Sequence, residues 1–204
     1  LPELKMGGQE KLKSARVLVI GAGGLGCPVL SYLAAAGVGT LGVCDGDLVD
    51  VSNLHRQVLY QFADIDKYKA DTAAEYLRAS NPFIEVMIHR EHIDCENAER
   101  LIKDYDLVLD CTDNFSTRHL INASCVKHLT PLVSGSALRF DGQISVFDPR
   151  KPASPCYACI FSPEESFEEV SCASMGIFSP LVGIIGAMQA AQALQVLIGF
   201  GEPL

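Results

Sequence analysis

The chain has 204 residues, 49% of them apolar and 20% charged, which is enough to bury one core and excludes a disordered or purely solvating segment. Its 25 acidic side chains against 16 basic ones give a formal net charge of −9, which argues against a nucleic-acid binder with its basic face. The charge names no partner.

The first stretch, LPELKMGGQEKLKSAR, is mixed and charged and has no apolar signal core, so the default address is cytoplasmic, where thiols stay reduced. No element is assigned to it. Residues 16–20 (RVLVI) read as a buried strand that runs straight into a glycine loop, GAGGLG at 21–26. Residues 25–36 read as a helix ended by Gly37, and residues 40–45 (TLGVCD) as a second strand. A polar loop leads to a helix over 69–80, stopped at Asn81-Pro82. A short strand at 84–88, a helix at 96–103 and a buried strand at 106–111 (DLVLDC) follow, then a helix at 116–127 and a strand at 131–134.

This alternation predicts an α/β fold of Rossmann-like type: a mostly parallel sheet with helices on both faces. Strands at 137–140 and 143–147, joined at Asp141-Gly142, are predicted to extend the sheet as an antiparallel hairpin. Residues 149–180 are rich in Pro, Ser and Glu and read as a long surface crossing. Residues 177–198 carry no charge, but Pro180 and a strip of Gln189, Gln192 and Gln195 fit a helix of a core or subunit interface better than a membrane span. No internal repeat or linker divides the chain.

Cysteine is the unusual part of the composition, with eight residues. In a reducing compartment they are core filler, metal ligands or reactive groups. Cys27, Cys44, Cys95, Cys111 and Cys125 are scattered, mostly among apolar neighbours, and are expected to be small buried hydrophobes. Cys156 and Cys159 have the spacing of half a structural zinc site, with no second pair in view. Cys172 lies on the crossing segment, where an exposed loop suits a reactive thiolate.

Gly21, Gly23 and Gly26 fit G-x-G-x-x-G between a strand and a helix, the context in which it cradles a nucleotide phosphate at a helix N-terminus. Asp45 ends the second strand, where a carboxylate accepts from ribose hydroxyls. NAD is the usual ligand of such a loop, but the chain has neither the length for a substrate domain nor an obvious hydride-transfer pair. Asp47, Asn53, Arg56 and Lys69 follow instead, and Asp113 stands after the strand DLVLDC. A glycine loop with Arg, Lys and a magnesium-binding carboxylate suits a polyphosphate, and so favours ATP over NAD.

GAGGLG (21–26), DGDLVD (45–50), SNLHRQ (52–57), Lys69, CTDN (111–114) with Arg118, and SGSALRFDGQ (134–143) resemble the ubiquitin-activating-enzyme family, in its bacterial MoeB and ThiF type. The resemblance runs along essentially the whole chain, in order. It implies an ATP-dependent adenylyltransferase that activates the C-terminal glycine carboxylate of a ubiquitin-like sulfur carrier, of MoaD or ThiS kind with a Gly-Gly end. The pathways served would be molybdopterin or thiamine biosynthesis.

By that resemblance Gly21, Gly23, Gly24 and Gly26 lie against the nucleotide and Asp45 holds the ribose. Asn53, Arg56 and Lys69 bind phosphates, Asp113 holds Mg²⁺, and Asn114 sits beside it at the nucleotide. No general base is needed, because a carboxylate is already an ionised nucleophile. His55 is expected to be a loop residue. Cys172 matches the position of the thiol that takes up the activated carrier in some relatives. A homodimer is implied, with no nucleic acid and no membrane. The resemblance also implies one adenylation domain over 1–204, without the family's opening helix, whose Arg reaches a partner subunit, and without its C-terminal Cys pair. Zn²⁺ would then lack half its ligands. The competing readings are a carrier-binding module that no longer catalyses and an NAD-dependent oxidoreductase.

Overall fold

A computed structural model describes residues 5–152, 154–163 and 176–204. The sheet is built on β1 (Arg16–Ile20), where an unbroken apolar run is buried on both faces. Val17 and Val19 point into one core layer, with Leu30, Leu33 and Leu77. Leu18 and Ile20 point into the other, with Leu101, Ile121 and Phe147. β2 (Thr40–Cys44), β3 (Glu85–His89), β4 (Leu107–Asp110), β5 (Leu132–Leu138) and β6 (Asp141–Phe147) complete six strands in the order β3-β2-β1-β4-β5-β6. All pair in parallel except β5 with β6. The predicted mostly parallel sheet with helices on both faces is therefore observed.

Among the described residues the helices are α1 (Lys5–Ser14), α2 (Gly26–Ala36), α3 (Lys69–Ser80), α4 (Ala98–Ile102), α5 (Phe115–His128), α6 (Tyr157–Ile160) and α7 (Ser179–Ile198). α2 stops where Gly37 takes φ 81°, its N–H reaching the carbonyls of Leu33 and Ala34. α3 keeps its predicted bounds and ends at Asn81, before Pro82. α1, α2, α3 and α7 pack together on one face, and α4, α5 and α6 on the other.

Four expectations are corrected. The opening stretch is helical over Lys5–Ser14: Leu12 is buried in the core, Gln9 Nε2 donates to Ala36 O at 3.0 Å and Lys11 Nζ to Ile198 O at 2.5 Å. The hairpin turn lies at Arg139-Phe140, not at Asp141-Gly142. Gly142 sits inside β6 opposite Ala137, because the side chains of Ile185 and Leu181 press on it from α7. Strand β5 correspondingly runs unbroken from 132 to 138, through small residues that admit α7 closely. Cys95 is exposed, in the polar turn before α4.

The glutamine strip of α7 is also divided. Gln189 is fully buried and donates Nε2 to Asp110 O at 2.8 Å, whereas Gln192 and Gln195 bond one another near the surface. By length and composition α7 could cross a membrane, but here it lies on the sheet and α2. The predicted crossing at 149–180 contains α6, whose Tyr157 is buried, and Cys172 falls outside the described residues.

Candidate active site

The strand order places β2 and β4 on opposite sides of β1, so the loops leaving their carboxyl ends diverge and leave a crevice. A cavity of about 690 Å³ occupies it, a size suited to a nucleotide. Gly21, Gly23, Gly24, Asp45, Asn53, Arg56, Lys69, Asp113 and Asn114 all line it. Of the predicted nucleotide residues only Gly26 is set back, at the start of α2. It serves the loop through close approach: a Cβ there would stand 2.0 Å from Gly21 O. Gly21 itself takes φ 94°, and a Cβ on it would stand 2.8 Å from Cys111 O.

Asp45 is only 8% exposed. Its Oδ2 accepts from Ala22 N at 2.7 Å and its Oδ1 from Asp47 N at 2.8 Å, which ties β2 to the glycine loop. Burial raises its pKa against the opposing pull of Lys69 and those amides. Lys69, 5% exposed at the head of α3, donates to Asp47 Oδ2 at 2.8 Å. Asp47 also accepts the Lys69 backbone N–H at 2.9 Å, so the cation is aimed from two sides.

The SNLHRQ segment forms a short 3₁₀ turn, Val51–Asn53, capped by Asp50. Hydrogen bonds from both the amide and the hydroxyl of Ser52 hold the Asp50 carboxyl below its usual range. The guanidinium of Arg56 donates to Asn53 Oδ1, to Ser52 O at 3.3 Å and to His55 Nε2 at 2.8 Å. On the far wall, Asp113 is exposed beside Asn114, whose Oδ1 caps α5 by accepting from Thr117 N at 2.9 Å. The loop between them and β4 is braced by the buried Asp110, which accepts from Thr112 N and Oγ1 and from Ser134 Oγ. Arg118 donates to Thr112 O at 2.8 Å and so supports the same loop.

Two residues of the site escaped the sequence reading. Gln57 is 4% exposed and lines the cavity, and its Oε1 has no hydrogen-bond partner. Its place beside Arg56 in SNLHRQ was the only available signal. Tyr60, buried, donates its hydroxyl to Ala22 O at 2.6 Å beneath the glycine loop, and nothing local in the sequence marks it.

Cys156 and Cys159 stand with their sulfurs 3.6 Å apart. Two thiolates on a tetrahedral zinc lie about 3.8 Å apart, so the pair fits one edge of such a site. Burial pulls Cys156 upward, but hydrogen bonds from Asn122, Cys159 and backbone amides leave its pKa lowered. Among the described residues no three His, Cys, Asp or Glu side chains cluster as a metal site, so the pair does not make a complete one. For Mg²⁺ the donor chemistry fits: Asp113 is an accessible hard-oxygen ligand that lines the same cavity as Arg56 and Lys69.

A protein of Aspergillus terreus described as "Adenylyltransferase and sulfurtransferase uba4" is 51% identical over 204 residues, covering 97% of this chain and 42% of its own length. Its counterpart in Pyricularia oryzae is 47% identical over the same shares. The chain thus spans less than half the length of these relatives. Among solved structures, E. coli MccB with AMPCPP and MccA superposes with a TM-score of 0.85 at 25% identity, over 97% of this chain and 60% of that one. The profile of the ThiF family matches residues 1–204, so this glycine loop, its cationic wall and Asp113 stand on a known scaffold: the chain belongs to the ThiF family.

Proposed function

We propose that the chain is the adenylating part of an enzyme that activates the C-terminal carboxylate of a ubiquitin-like sulfur carrier with ATP. One observation carries this reading: the glycine loop, Arg56, Lys69 and Asp113 come from separate elements and line one cavity at the carboxyl end of the sheet. The carrier carboxylate attacks the α-phosphorus, a new O–P bond forms, and the bond to the β-phosphate oxygen breaks as pyrophosphate leaves. Asp45 positions the ribose. Lys69 and Arg56 take the growing charge on the leaving group, and Gln57 offers a buried amide beside them. Mg²⁺, when bound at Asp113, adds further neutralisation. Ser136, Ala137 and Leu138 line the same cavity, and the carrier's extended tail would lie along them.

Carriers of MoaD or ThiS kind, and thus molybdopterin or thiamine biosynthesis, are the pathways this reading covers, with a homodimer as the working assembly. A single adenylation domain over 1–204 and a cytoplasmic address belong to it as well. Zinc enters only as a structural ion on Cys156 and Cys159, together with two further ligands. Cys172 remains the candidate acceptor of the activated carrier.

Carrier-dependent exchange of labelled pyrophosphate into ATP tests the reading, with Arg56→Ala expected to slow exchange by about a hundredfold. Exchange at the wild-type rate would remove Arg56 from the phosphate site. ATP binding with no exchange would favour a carrier-binding module, and NAD-selective thermal protection an oxidoreductase.

A further inference from the structure

We propose that His55 is a positioning residue for Arg56: its imidazole, held through Nδ1 by Ser179, aims the guanidinium at the nucleotide phosphates. The inference rests on the assignment of Arg56 to those phosphates. Its basis is a chain of two contacts. Arg56 Nη1 lies 2.8 Å from His55 Nε2, and His55 Nδ1 lies 2.6 Å from Ser179 Oγ.

The roles in this chain follow from donor chemistry. A guanidinium has five N–H donors and no acceptor, so the ring nitrogen facing it must accept. A neutral imidazole has one hydrogen, which then sits on Nδ1, where Ser179 Oγ accepts it. The guanidinium thereby sets the tautomer, and Ser179, whose hydroxyl can accept or donate, takes the Nδ1 hydrogen and holds the ring in place. Without Ser179 the tautomer would stay the same, but the ring would lose the contact that fixes its orientation.

The contact also differs in kind from the others on Arg56. Ser52 O and Asn53 Oδ1 belong to the same short turn as the arginine and move with it. Ser179 is the first residue of α7, which is anchored to β4 and β5 through the buried Gln189. His55 therefore links a flexible, rotamer-rich side chain on a surface turn to the rigid sheet. Ordering Arg56 before the ligand arrives removes that entropy from the cost of binding. Lys69 has its own holder in Asp47, so both cations assigned to the phosphates are held before the ligand arrives.

Two measurements on the intact chain test this. Long-range ¹H–¹⁵N NMR at about pH 8 should report His55 protonated on Nδ1 and bare on Nε2. Calorimetric titration with Mg-ATP should show His55→Phe binding about tenfold more weakly, with an unchanged apo melting curve. His55→Gln, whose amide oxygen can accept from Arg56, should come back to within about threefold of wild type. In an Arg56→Ala background, His55→Phe should add less than about a twofold further loss. An Nε2–H tautomer overturns the inference. So does wild-type Mg-ATP affinity in His55→Phe while Arg56→Ala binds weakly, an outcome that leaves the phosphate assignment standing. Wild-type affinity in Arg56→Ala overturns the assignment and the inference together.

Discussion

At the scale of single residues, Gln57 is a group whose apo environment is unfavourable and whose ligand environment would not be. Gln57 buries an amide oxygen with no partner, and an orphaned buried acceptor costs about 1–3 kcal/mol. Gln57→Leu removes that group, so its apo melting temperature should hold or rise, while the stabilisation conferred by Mg-ATP should shrink. Differential scanning fluorimetry with and without nucleotide reads both. A fall in apo stability with full ATP protection would assign Gln57 to packing alone.

The thiols also divide by environment. Burial pushes Cys27 and Cys44 up to about 12, and Cys111 and Cys125 are likewise raised. Thiols alkylate as thiolates. Native protein treated with iodoacetamide at about pH 8 should therefore label Cys95, Cys156 and Cys159 first, and the four buried cysteines only on unfolding. Peptide mass spectrometry distinguishes the two sets, and early labelling of Cys27 would contradict its burial.

Among the elements, the β1–α2 unit and α7 decide whether the crevice exists. Gly26→Ala places a methyl group against Gly21 O with no flexible neighbour to yield, so it should destabilise by about 3 kcal/mol in denaturant titration. A milder loss would mean that the loop can re-form around a side chain. Gln189→Leu deletes two hydrogen bonds to strand carbonyls and leaves its packing volume, with an expected cost of about 1–3 kcal/mol.

The elements that were legible in the sequence are those with strong local signals. α3 lies between a polar loop and Asn-Pro, and its bounds were read without error. β1, β2 and β4 are apolar runs buried on both faces. The hairpin misled because Asp141-Gly142 carries the usual turn chemistry, yet Gly142 is needed for contact with Ile185 and Leu181. α1 gave no amphipathic signal, since it buries the single large apolar side chain of Leu12 and is otherwise tied by Gln9 and Lys11 to the C-terminal carbonyls of α2 and α7.

For the whole molecule, acid stability follows from carboxylates held below their ordinary range. Arg150 does this to Asp148 by donating Nε and Nη2 to its two oxygens, Lys67 to Asp64 and Lys127 to Glu99. A folded pKa below the unfolded value gives stability that is present above about pH 4 and lost as pH falls through the folded value. The melting temperature should therefore be nearly flat from about pH 8 to 5 and decline below about pH 4. Asp45 has the opposite sign, since its raised pKa relieves a buried charge on protonation. Asp45→Asn should accordingly show a steeper acid decline than wild type.

The sequence by itself determined the strand–helix alternation, the glycine loop and the identity of the cations and carboxylates of the site. Those signals are local, set by burial period, by turn chemistry and by residue types that only certain ligands require. Tertiary structure alone decided which of these groups meet. The order β3-β2-β1-β4 opens the crevice, α7 turns a glycine from a hinge into a packing surface, and Ser179 reaches His55 across 124 positions. None of this is visible locally, because contacts between distant segments leave no periodicity in either one.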